Sequence, residues 1–337
     1  MSDKYVSLSN LTLSYGKTVA VPNISLDVIE GELIALLGPS GCGKTTTMRA
    51  IAGLLAPTSG TIEIDGRDVT RLAANKRGIG LVFQSYALFP HLNAFENVAF
   101  GLRLKKMPEA EIRSRTEAGI ATVGLTGFEA RKPAEMSGGQ QQRLALARSL
   151  VMEPKVLLLD EPLSNLDARL RLEMRTELQR VQKDTGVTMV FVTHDQSEAL
   201  ALADRIVLMK DGKIEQLGTP NELYAEPATA FAAEFMGFEN IFRVEGESLV
   251  SAVGQLPLGF AAQAPMLAWR PGGVQVGQGP FNGRVLASSF AGGHREYVLD
   301  SQIGQIKADA PIDVAEVPLG HTIDFDLPQS TARPLAA

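Results

Sequence analysis

The sequence predicts an α/β fold built on a mainly parallel sheet, followed by a small all-β domain. Short, continuously apolar runs, typical of buried parallel strands, alternate with stretches of helical periodicity over the first two thirds of the chain. These runs are residues 33–37, 79–83, 156–159 and 187–192. Beyond about residue 236 lysine nearly vanishes, and short alternating runs between glycines and prolines replace the helical pattern. We therefore predict two domains, residues 1–235 and 236–337, the second a β-barrel or sandwich.

Length, charge and cysteine content limit what the protein can be. A chain of 337 residues can form two domains, and its net charge of −6 gives no support to a nucleic-acid partner bound through a basic face. No apolar run approaches the roughly 18 residues of a membrane span, and the first residues do not form a signal sequence. We expect a soluble cytoplasmic protein that meets the membrane only through a partner. The single cysteine, Cys42, excludes an intramolecular disulfide and a zinc cluster.

The stretch from Gly38 to Thr46 carries a phosphate-binding P-loop. It reads G-P-S-G-C-G-K-T-T, follows the apolar run 33–37 and leads into a predicted helix. Its glycines let backbone N–H groups approach phosphate oxygens, while Lys44 can reach the β- and γ-phosphates and the Thr45 hydroxyl can bind Mg²⁺. Cys42 is predicted to be a small filler residue. The predicted ligand is a nucleoside triphosphate, bound by Gly38, Ser40, Gly41, Cys42, Gly43, Lys44, Thr45 and Thr46.

Two further segments carry chemistry. Residues 137–140 (Ser-Gly-Gly-Gln) open a predicted helix, and a serine and two glycines at a helix N-terminus form a second anion site. Asp160 and Glu161 directly follow the run 156–159, at the strand end that faces the ligand crevice of an open α/β sheet. Asp160 suits Mg²⁺, and Glu161 suits the acceptance of a proton from an attacking water. Together with the P-loop, this pair indicates a nucleotide hydrolase.

Shorter patterns predict the remaining elements. Alternating residues over 4–30 predict antiparallel strands at a sheet edge, and residues 108–131 predict an amphipathic helix. Asp65-Gly66 and Asp211-Gly212 predict tight turns, and the aromatic residues of segment 85–106 predict a local core. Tyr15 suits either stacking on an adenine ring or a structural place in a hairpin.

These motifs together resemble the nucleotide-binding subunits of ATP-binding-cassette (ABC) transporters, over residues 5–235 and in the family's order. The matching segments are the P-loop (38–45), Gln84, the signature (137–140), the second nucleotide motif (156–161), residues 164–167 (Ser-Asn-Leu-Asp) and His194. The resemblance implies a P-loop NTPase core of the RecA-like type, with an antiparallel β edge, a helical subdomain at about 85–150 and an OB/TOBE-like second domain. One departure is Met136, where leucine is usual, and little effect is expected from it.

The resemblance also implies roles for individual residues. ATP is the ligand, with its adenine stacked on Tyr15, and Mg²⁺ is bound by Thr45, Gln84 and Asp160. Glu161 becomes the general base, Gln84 contacts the attacking water and His194 contacts the γ-phosphate. In this family two cassettes pair head to tail. The ATP of one chain would therefore be closed by the partner's copy of Ser137, Gly138, Gly139 and Gln140.

Transport is the function that the resemblance implies. Segment 83–91 (Phe-Gln-Ser-Tyr-Ala-Leu-Phe-Pro-His) resembles importers with a C-terminal β regulatory domain, which serve polyamines, ferric iron, phosphonates, oxyanions and some sugars. Two integral-membrane permease subunits, and indirectly a solute-binding protein, are the implied partners, at the cytoplasmic face of the inner membrane. Part of the aromatic set in 86–100 is expected to form a groove for a permease helix. The solute itself is not predicted.

Two alternatives remain at this point. One is a non-transport ABC ATPase acting in nucleic-acid repair or translation. However, the spacing between Lys44 and Ser137 leaves no room for the coiled coil of repair members, and the chain carries one cassette, not two. The other is regulatory binding of a solute or partner by residues 240–337. Trp269 would belong to such a site or, as the more common arrangement, to the β-domain core.

Overall fold

The computed structural model describes residues 4–262 and 264–336. The chain divides into two compact units, the first ending at Pro220 and the second beginning at Asn221. The predicted boundary between residues 235 and 236 stays a prediction.

The first unit contains two sheets and a set of helices. Its strands are β1 (Lys4–Tyr15), β2 (Thr18–Ile29), β3 (Leu33–Leu37), β4 (Ser59–Ile64), β5 (Arg67–Asp68), β6 (Ile79–Val82), β7 (Val156–Asp160), β8 (Thr188–Val192), β9 (Arg205–Lys210) and β10 (Lys213–Gly218). Its helices are α1 (Lys44–Ala52), α2 (Ala94–Leu104), α3 (Glu109–Thr122), α4 (Gly138–Leu150), α5 (Ala168–Thr185) and α6 (Gln196–Leu202).

The larger sheet is parallel except at one edge. Its strand order is β10-β9-β3-β8-β7-β6, and only the β9–β10 pair is antiparallel, closed by the predicted turn at Asp211-Gly212. Strands β3 and β8 are buried at every position because helices or the other sheet cover both faces. The predicted α/β class and its core strands are therefore confirmed.

The antiparallel strands form a sheet of their own. Its order is β2-β1-β4-β5, and the predicted Asp65-Gly66 turn joins β4 to β5. The predicted antiparallel pairing of the strands in residues 4–30 is confirmed. The buried alternate residues of β1 and β2 share a core with α1 and the parallel strands, which gives this sheet its own packing face.

Helices α2, α3 and α4 pack against one another in the region predicted as a helical subdomain. The helix predicted over 108–131 is too long, because α3 ends at Thr122 and the chain then adopts positive φ at Gly124 and Gly127. The predicted aromatic core forms only in part. Tyr86 is buried and the rings of Phe89 and Phe100 are 4.5 Å apart, but Phe100 is exposed.

The buried guanidinium of Arg77 fixes the end of the P-loop helix. Its Nη1 donates to the carbonyl oxygens of Ala50 and Ile51 at 2.8 and 2.9 Å, at the C-terminus of α1. The Nε and Nη2 atoms donate to the carbonyls of Leu72 and Thr70, in the segment that leads to β6. One side chain thus ties the last turn of α1 to the strand that precedes Gln84.

The second unit begins within α7 (Pro220–Ala225) and continues with α8 (Ala230–Phe235). Its strands are β11 (Asn240–Glu245), β12 (Ser248–Val250), β13 (Gln255–Pro257), β14 (Met266–Trp269), β15 (Gln275–Phe290), β16 (His294–Ser301), β17 (Gly304–Pro311), β18 (Thr322–Asp326) and β19 (Arg333–Leu335). They form two antiparallel sheets, β13-β12-β11-β14-β19 and β17-β16-β15-β18, around one apolar core. The predicted all-β region is confirmed, and its TOBE-like character stays a prediction.

Trp269 lies in the core of the β domain. Its side chain is fully buried, and its indole Nε1 donates to the carbonyl of Pro328 at 3.0 Å. Next to it, the guanidinium of Arg270 lies between the rings of Tyr224 and Phe238, 3.6 and 3.9 Å from their centroids. Of the two predicted places for Trp269, the structure therefore has the core.

Among the residues that the structure describes, no helix is both long enough and apolar enough to cross a bilayer.

Candidate nucleotide-binding site

Parallel pairing brings four functional segments to one edge of the large sheet. In the β3–β8–β7 register, Leu36 pairs with Val192 and Val192 with Asp160, while Val82 of β6 pairs with Leu159 of β7. Each strand therefore ends at the same level, and the P-loop, Glu161, Gln84 and His194 follow within two residues. Such an edge is where open α/β sheets bind ligands.

Close backbone packing holds the P-loop in shape. Gly38 has φ 147°, and a Cβ there would lie 2.3 Å from the carbonyl oxygen of Met209. Gly43 has φ 102°, and a Cβ there would lie 2.8 Å from a methyl group of Val21 on β2. These two positions need glycine on both conformational and steric grounds.

The N-terminus of α1 is open to an anion. Gly43 is its N-cap, and in the described structure no side chain caps the helix and no acidic residue lies in its first turn. The first N–H groups of a helix that lack such partners attract phosphate, helped by the helix dipole. The geometry therefore suits the predicted phosphate site.

Lys44 lies against its own loop. Its side chain is only 6% exposed, and Nζ donates to the carbonyls of Gly38 and Pro39 at 2.7 and 2.9 Å. The cleft above it measures about 210 Å³ and is lined by Ser40, Gly41, Gly43, Lys44, Thr45, Thr46 and Glu161. Predicted phosphate ligands and the predicted general base thus share one cleft.

Thr45 and Asp160 offer oxygen ligands to a cation. Thr45 Oγ1 lies 3.4 Å from Asp160 Oδ1, with the hydroxyl as donor. Burial raises the pKa of the Asp160 carboxyl, and the neighbouring Glu161 carboxylate raises it further, against the opposing effects of Arg49 and Thr45. A hydroxyl and a carboxylate are hard oxygen donors of the kind that Mg²⁺ prefers, and a cation there would relieve the cost of the buried charge. The residues therefore fit the predicted metal.

Glu161 is the centre of a polar network. Gln84 Nε2 donates to Glu161 Oε2 at 3.2 Å and to Ser164 Oγ at 3.1 Å. On the other side, His194 Nδ1 lies 3.3 Å from Glu161 Oε1. Asn165 donates to the backbone carbonyl of Gln84 at 2.8 Å. The structure thus brings all three predicted catalytic side chains into contact, although their catalytic roles stay predictions.

Cys42 and Tyr15 stand apart from this network. The Cys42 side chain packs in the apolar core of the unit, and burial raises the pKa of its thiol. A buried thiol that stays protonated is unreactive, which suits the predicted filler role. Tyr15 lies at the end of β1 with 46% of its surface exposed, on the hairpin whose β2 strand carries Val21, the residue that a Cβ on Gly43 would meet. Its ring is accessible for the predicted adenine stacking.

The signature segment lies outside the cleft. Ser137 and Gln140 form a capping box at the start of α4, in which each side chain accepts a hydrogen bond from the other residue's backbone N–H. In the described part of the chain, no hydrogen bond joins Ser137, Gly138, Gly139 or Gln140 to the P-loop, and none of the four lines the cleft. Within a single chain, the two predicted anion sites are separate.

Sequence reasoning missed the arginine that holds the segment after Gln84. Arg148, near the end of α4, donates to the carbonyls of Tyr86 and Ala87 at 3.0 and 2.7 Å. Both residues have positive φ, 62° and 48°, which is uncommon for residues other than glycine. An arginine in a regular helix gives no local signal of this contact, because its partners are carbonyl groups about 60 residues away.

Comparison with known proteins identifies the family. The ABC transporter family model matches residues 21–164. An Fe(3+) ions import ATP-binding protein of Rhizobium etli is 50% identical over 97% of this chain and 93% of that protein. The chain belongs to the ABC transporter family.

Other relatives and solved structures agree. An Fe(3+) ions import ATP-binding protein of Brucella abortus is 50% identical over 93% of each chain, and a spermidine/putrescine import ATP-binding protein of Marinobacter nauticus is 52% identical over 72% of this chain and 65% of that one. Among solved structures, cbiO1 of Clostridium perfringens, part of an ABC transporter complex, has a TM-score of 0.63 at 35% identity, covering 66% of this chain and 92% of that one. The dimeric ATP-binding cassette MJ0796 bound to ADP and Pi has a TM-score of 0.57 at 36% identity, covering 64% and 98%.

These comparisons confirm the predicted family, fold and importer-type ATPase function. The chain is an ABC ATPase that binds and hydrolyses ATP. The relatives named are import subunits, so they favour transport over the repair or translation alternative.

The raised pKa of Asp160 predicts that its ionised carboxylate destabilises the folded ABC ATPase at neutral pH. A carboxyl whose pKa is higher in the folded than in the unfolded chain favours folding when protonated, and that contribution is lost as the pH rises through the folded pKa. Asp160→Asn should therefore raise the thermal unfolding midpoint of the ligand-free protein at pH 7, by about 1–3 °C. The gain should shrink as the pH falls toward the ordinary aspartate pKa of 3.8. Calorimetry at several pH values measures this.

Asp195→Asn is the matched control. Burial alone would raise the pKa of Asp195, but hydrogen bonds from Ser197 and from the backbone N–H of Glu198 outweigh it and lower the pKa. This substitution should therefore lower the midpoint at pH 7. A lower midpoint for Asp160→Asn as well would contradict the assigned electrostatics.

Proposed function

We propose that this chain is the ATP-hydrolysing subunit of a ferric-ion importer, acting as a homodimer that drives two separate permease subunits. The observation that carries this proposal is 50% identity, over nearly the whole chain, to Fe(3+) ions import ATP-binding proteins. The spermidine/putrescine relative is similarly identical, at 52%, but the alignment covers only 72% of this chain and 65% of the relative. Similarity that extends through the second unit favours ferric ion over polyamine.

The homodimer follows from the separation of the two anion sites. The cleft over Lys44 is built from the P-loop and Glu161, while the helix N-terminus at Ser137 lies elsewhere in the chain. A second copy, related by two-fold symmetry, would present its Ser137–Gln140 segment to the γ-phosphate of this copy. Each chain then holds half of two equivalent sites, and ATP joins the halves.

Within the site, the chain's own side chains bind, orient and accept a proton. The N–H groups at the start of α1 and Lys44 Nζ would bind the phosphates, with Lys44 exchanging its loop carbonyls for phosphate oxygens. Thr45, Asp160 and the Gln84 amide would hold Mg²⁺, which neutralises phosphate charge when bound.

Glu161 is the proposed general base. Its carboxylate lines the cleft and lies between the Gln84 amide and the His194 ring. It would accept the proton of the attacking water, while Gln84 and His194 fix the orientation of carboxylate and water. His194 would also contact the γ-phosphate.

The aromatic segment after Gln84 is the proposed permease contact. Phe89 packs on Phe100 and under the guanidinium of Arg148, which also holds the Tyr86 and Ala87 carbonyls. A short helix of a permease could insert an apolar side chain beside Phe89 and Phe100. This contact would hold the subunit peripherally at the cytoplasmic face of the inner membrane, with the solute-binding protein on the other side.

The variant Glu161→Gln tests the assignment of the general base. An amide cannot accept the proton, so turnover should fall by about 100-fold or more, while ATP binding is retained because the shape of the cleft is kept. Steady-state phosphate release and binding of a fluorescent ATP analogue measure the two properties. The control is Glu173→Gln, an exposed glutamate of α5. Near-normal turnover in Glu161→Gln would remove Glu161 from the mechanism.

The variant Phe89→Ala tests the permease contact and the solute together. In cells that depend on this transporter, uptake of radiolabelled Fe³⁺ should fall by about tenfold, while the isolated subunit keeps its ATPase rate, because an interface anchor is lost and the cleft is untouched. Phe290→Ala, at an exposed phenylalanine of the second unit, is the control. Unchanged uptake in Phe89→Ala would refute the groove. Uptake of putrescine in place of Fe³⁺ by the wild type would refute the solute.

A further inference from the structure

Two segments contact Glu161, one at its backbone carbonyl and one at its carboxylate. Ser164, on the segment that follows Glu161, donates its hydroxyl to the Glu161 carbonyl oxygen at 3.0 Å. His194, at the end of β8, approaches the Glu161 carboxylate at 3.3 Å. Glu161 itself has φ 43°, a conformation that costs a non-glycine residue free energy and needs support from its surroundings.

Arg171 of α5 connects the first segment to α6. Its Nη2 donates to the carbonyl of Leu166 at 3.1 Å. Its Nε lies 3.6 Å from Glu198 Oε1, and its Nη1 lies 3.8 Å from Asp195 Oδ2. The Nε atom is buried and has no hydrogen-bond partner among the described residues. Because solvent does not reach it, its electrostatic attraction to the Glu198 carboxylate is only weakly screened.

Glu198 connects α6 to the residue before His194. This carboxylate is only 3% exposed, and its Oε2 accepts a hydrogen bond from Thr193 Oγ1 at 2.6 Å. The same Thr193 oxygen accepts a hydrogen bond from the backbone N–H of Asp195 at 3.0 Å. The Thr193 hydroxyl thus links the residues on either side of His194 to each other and to Glu198. The His194 side chain itself is 58% exposed and receives little support from packing.

Five contacts and two short stretches of main chain, 164–166 and 193–194, close a ring. In order around it, the members are Glu161, Ser164, Leu166, Arg171, Glu198, Thr193 and His194. We propose that Arg171 and Glu198 are positioning residues that join the 164–167 segment to the His194 turn, and so hold His194 against Glu161. Neither residue lines the ATP cleft, so they act through His194 and Glu161. This inference rests on the proposed roles of those two residues.

The test uses Glu198→Gln and Arg171→Met in the full chain. Glu198→Gln keeps an oxygen that can accept the Thr193 hydrogen bond and removes the charge that faces Arg171. Each variant should lower kcat for ATP by about tenfold and leave KM within about twofold, because orientation of catalytic groups is lost and ATP contacts are kept. The double variant should lose no more than either single one, because both break the same link. The control is Arg169→Met, which removes an arginine of α5 that is 89% exposed and, among the described residues, pairs with Glu173 alone.

A second readout does not depend on turnover. The chain has four histidines, so the ring resonances of His194 can be assigned by NMR. They should shift in Glu198→Gln and in Arg171→Met and stay unchanged in Arg169→Met.

Wild-type kcat in both single variants, losses that multiply in the double variant, or unchanged His194 resonances would each overturn the proposal. So would a lower unfolding midpoint with kcat intact. Failure of the proposed catalytic roles would show separately, as normal turnover in Glu161→Gln, and leaves the His194 resonances as the test of the ring.

Discussion

The structure depends on the parallel register of β6, β7, β8 and β3. Backbone pairing aligns these four strands so that their carboxyl ends lie at one level, and the bonding continues past the strands themselves. Glu161 N–H donates to the carbonyl of Val192 at 3.0 Å, and Thr193 N–H donates to that of Leu36 at 3.1 Å. The residues that follow each strand therefore occupy fixed positions before any side chain is considered. Slippage of one strand would remove one functional group from the site.

Three arginines, Arg77 buried and Arg148 and Arg171 half-buried, support the segments around this site. Arg77 holds the end of α1, Arg148 holds the turn after Gln84, and Arg171 holds the segment after Glu161. The guanidinium of Arg77 donates to four backbone carbonyls, that of Arg148 to two and that of Arg171 to one. The several donors of a guanidinium in a planar fork allow one side chain to satisfy two or more carbonyls, which lysine could not do in the same geometry. Irregular segments thereby acquire defined positions without regular secondary structure.

The local motifs made most of the first unit predictable. The P-loop, the buried strands, the tight turns at Asp65 and Asp211 and the capping residue Ser137 are each encoded in a few consecutive residues. The end of α3, the separate antiparallel sheet and the contacts of Arg148 were not predicted in the same way. The end of α3 does have a local signal, the glycines at 124 and 127, which the helical pattern of 108–131 obscured. The separate sheet and the Arg148 contacts depend on residues far apart in sequence, and an arginine on a helix has the same local pattern whether it faces solvent or a carbonyl group. No local pattern brings Gln84 to Glu161, and a role for Gln84 at this site was predictable only from the family resemblance.

In the proposed homodimer each chain contributes half of two shared ATP sites, and mixing two inactive variants tests this arrangement most directly. Lys44→Ala removes the ammonium group that is proposed to bind the ATP phosphates. Gly138→Glu places a carboxylate at the signature, where a Cβ meets only ordinary contact with Leu166. Each variant alone should be inactive. An equal mixture should recover about a quarter of wild-type ATPase activity, because half of the dimers then hold one intact site. Activity no greater than the sum of the two variants would contradict the shared site.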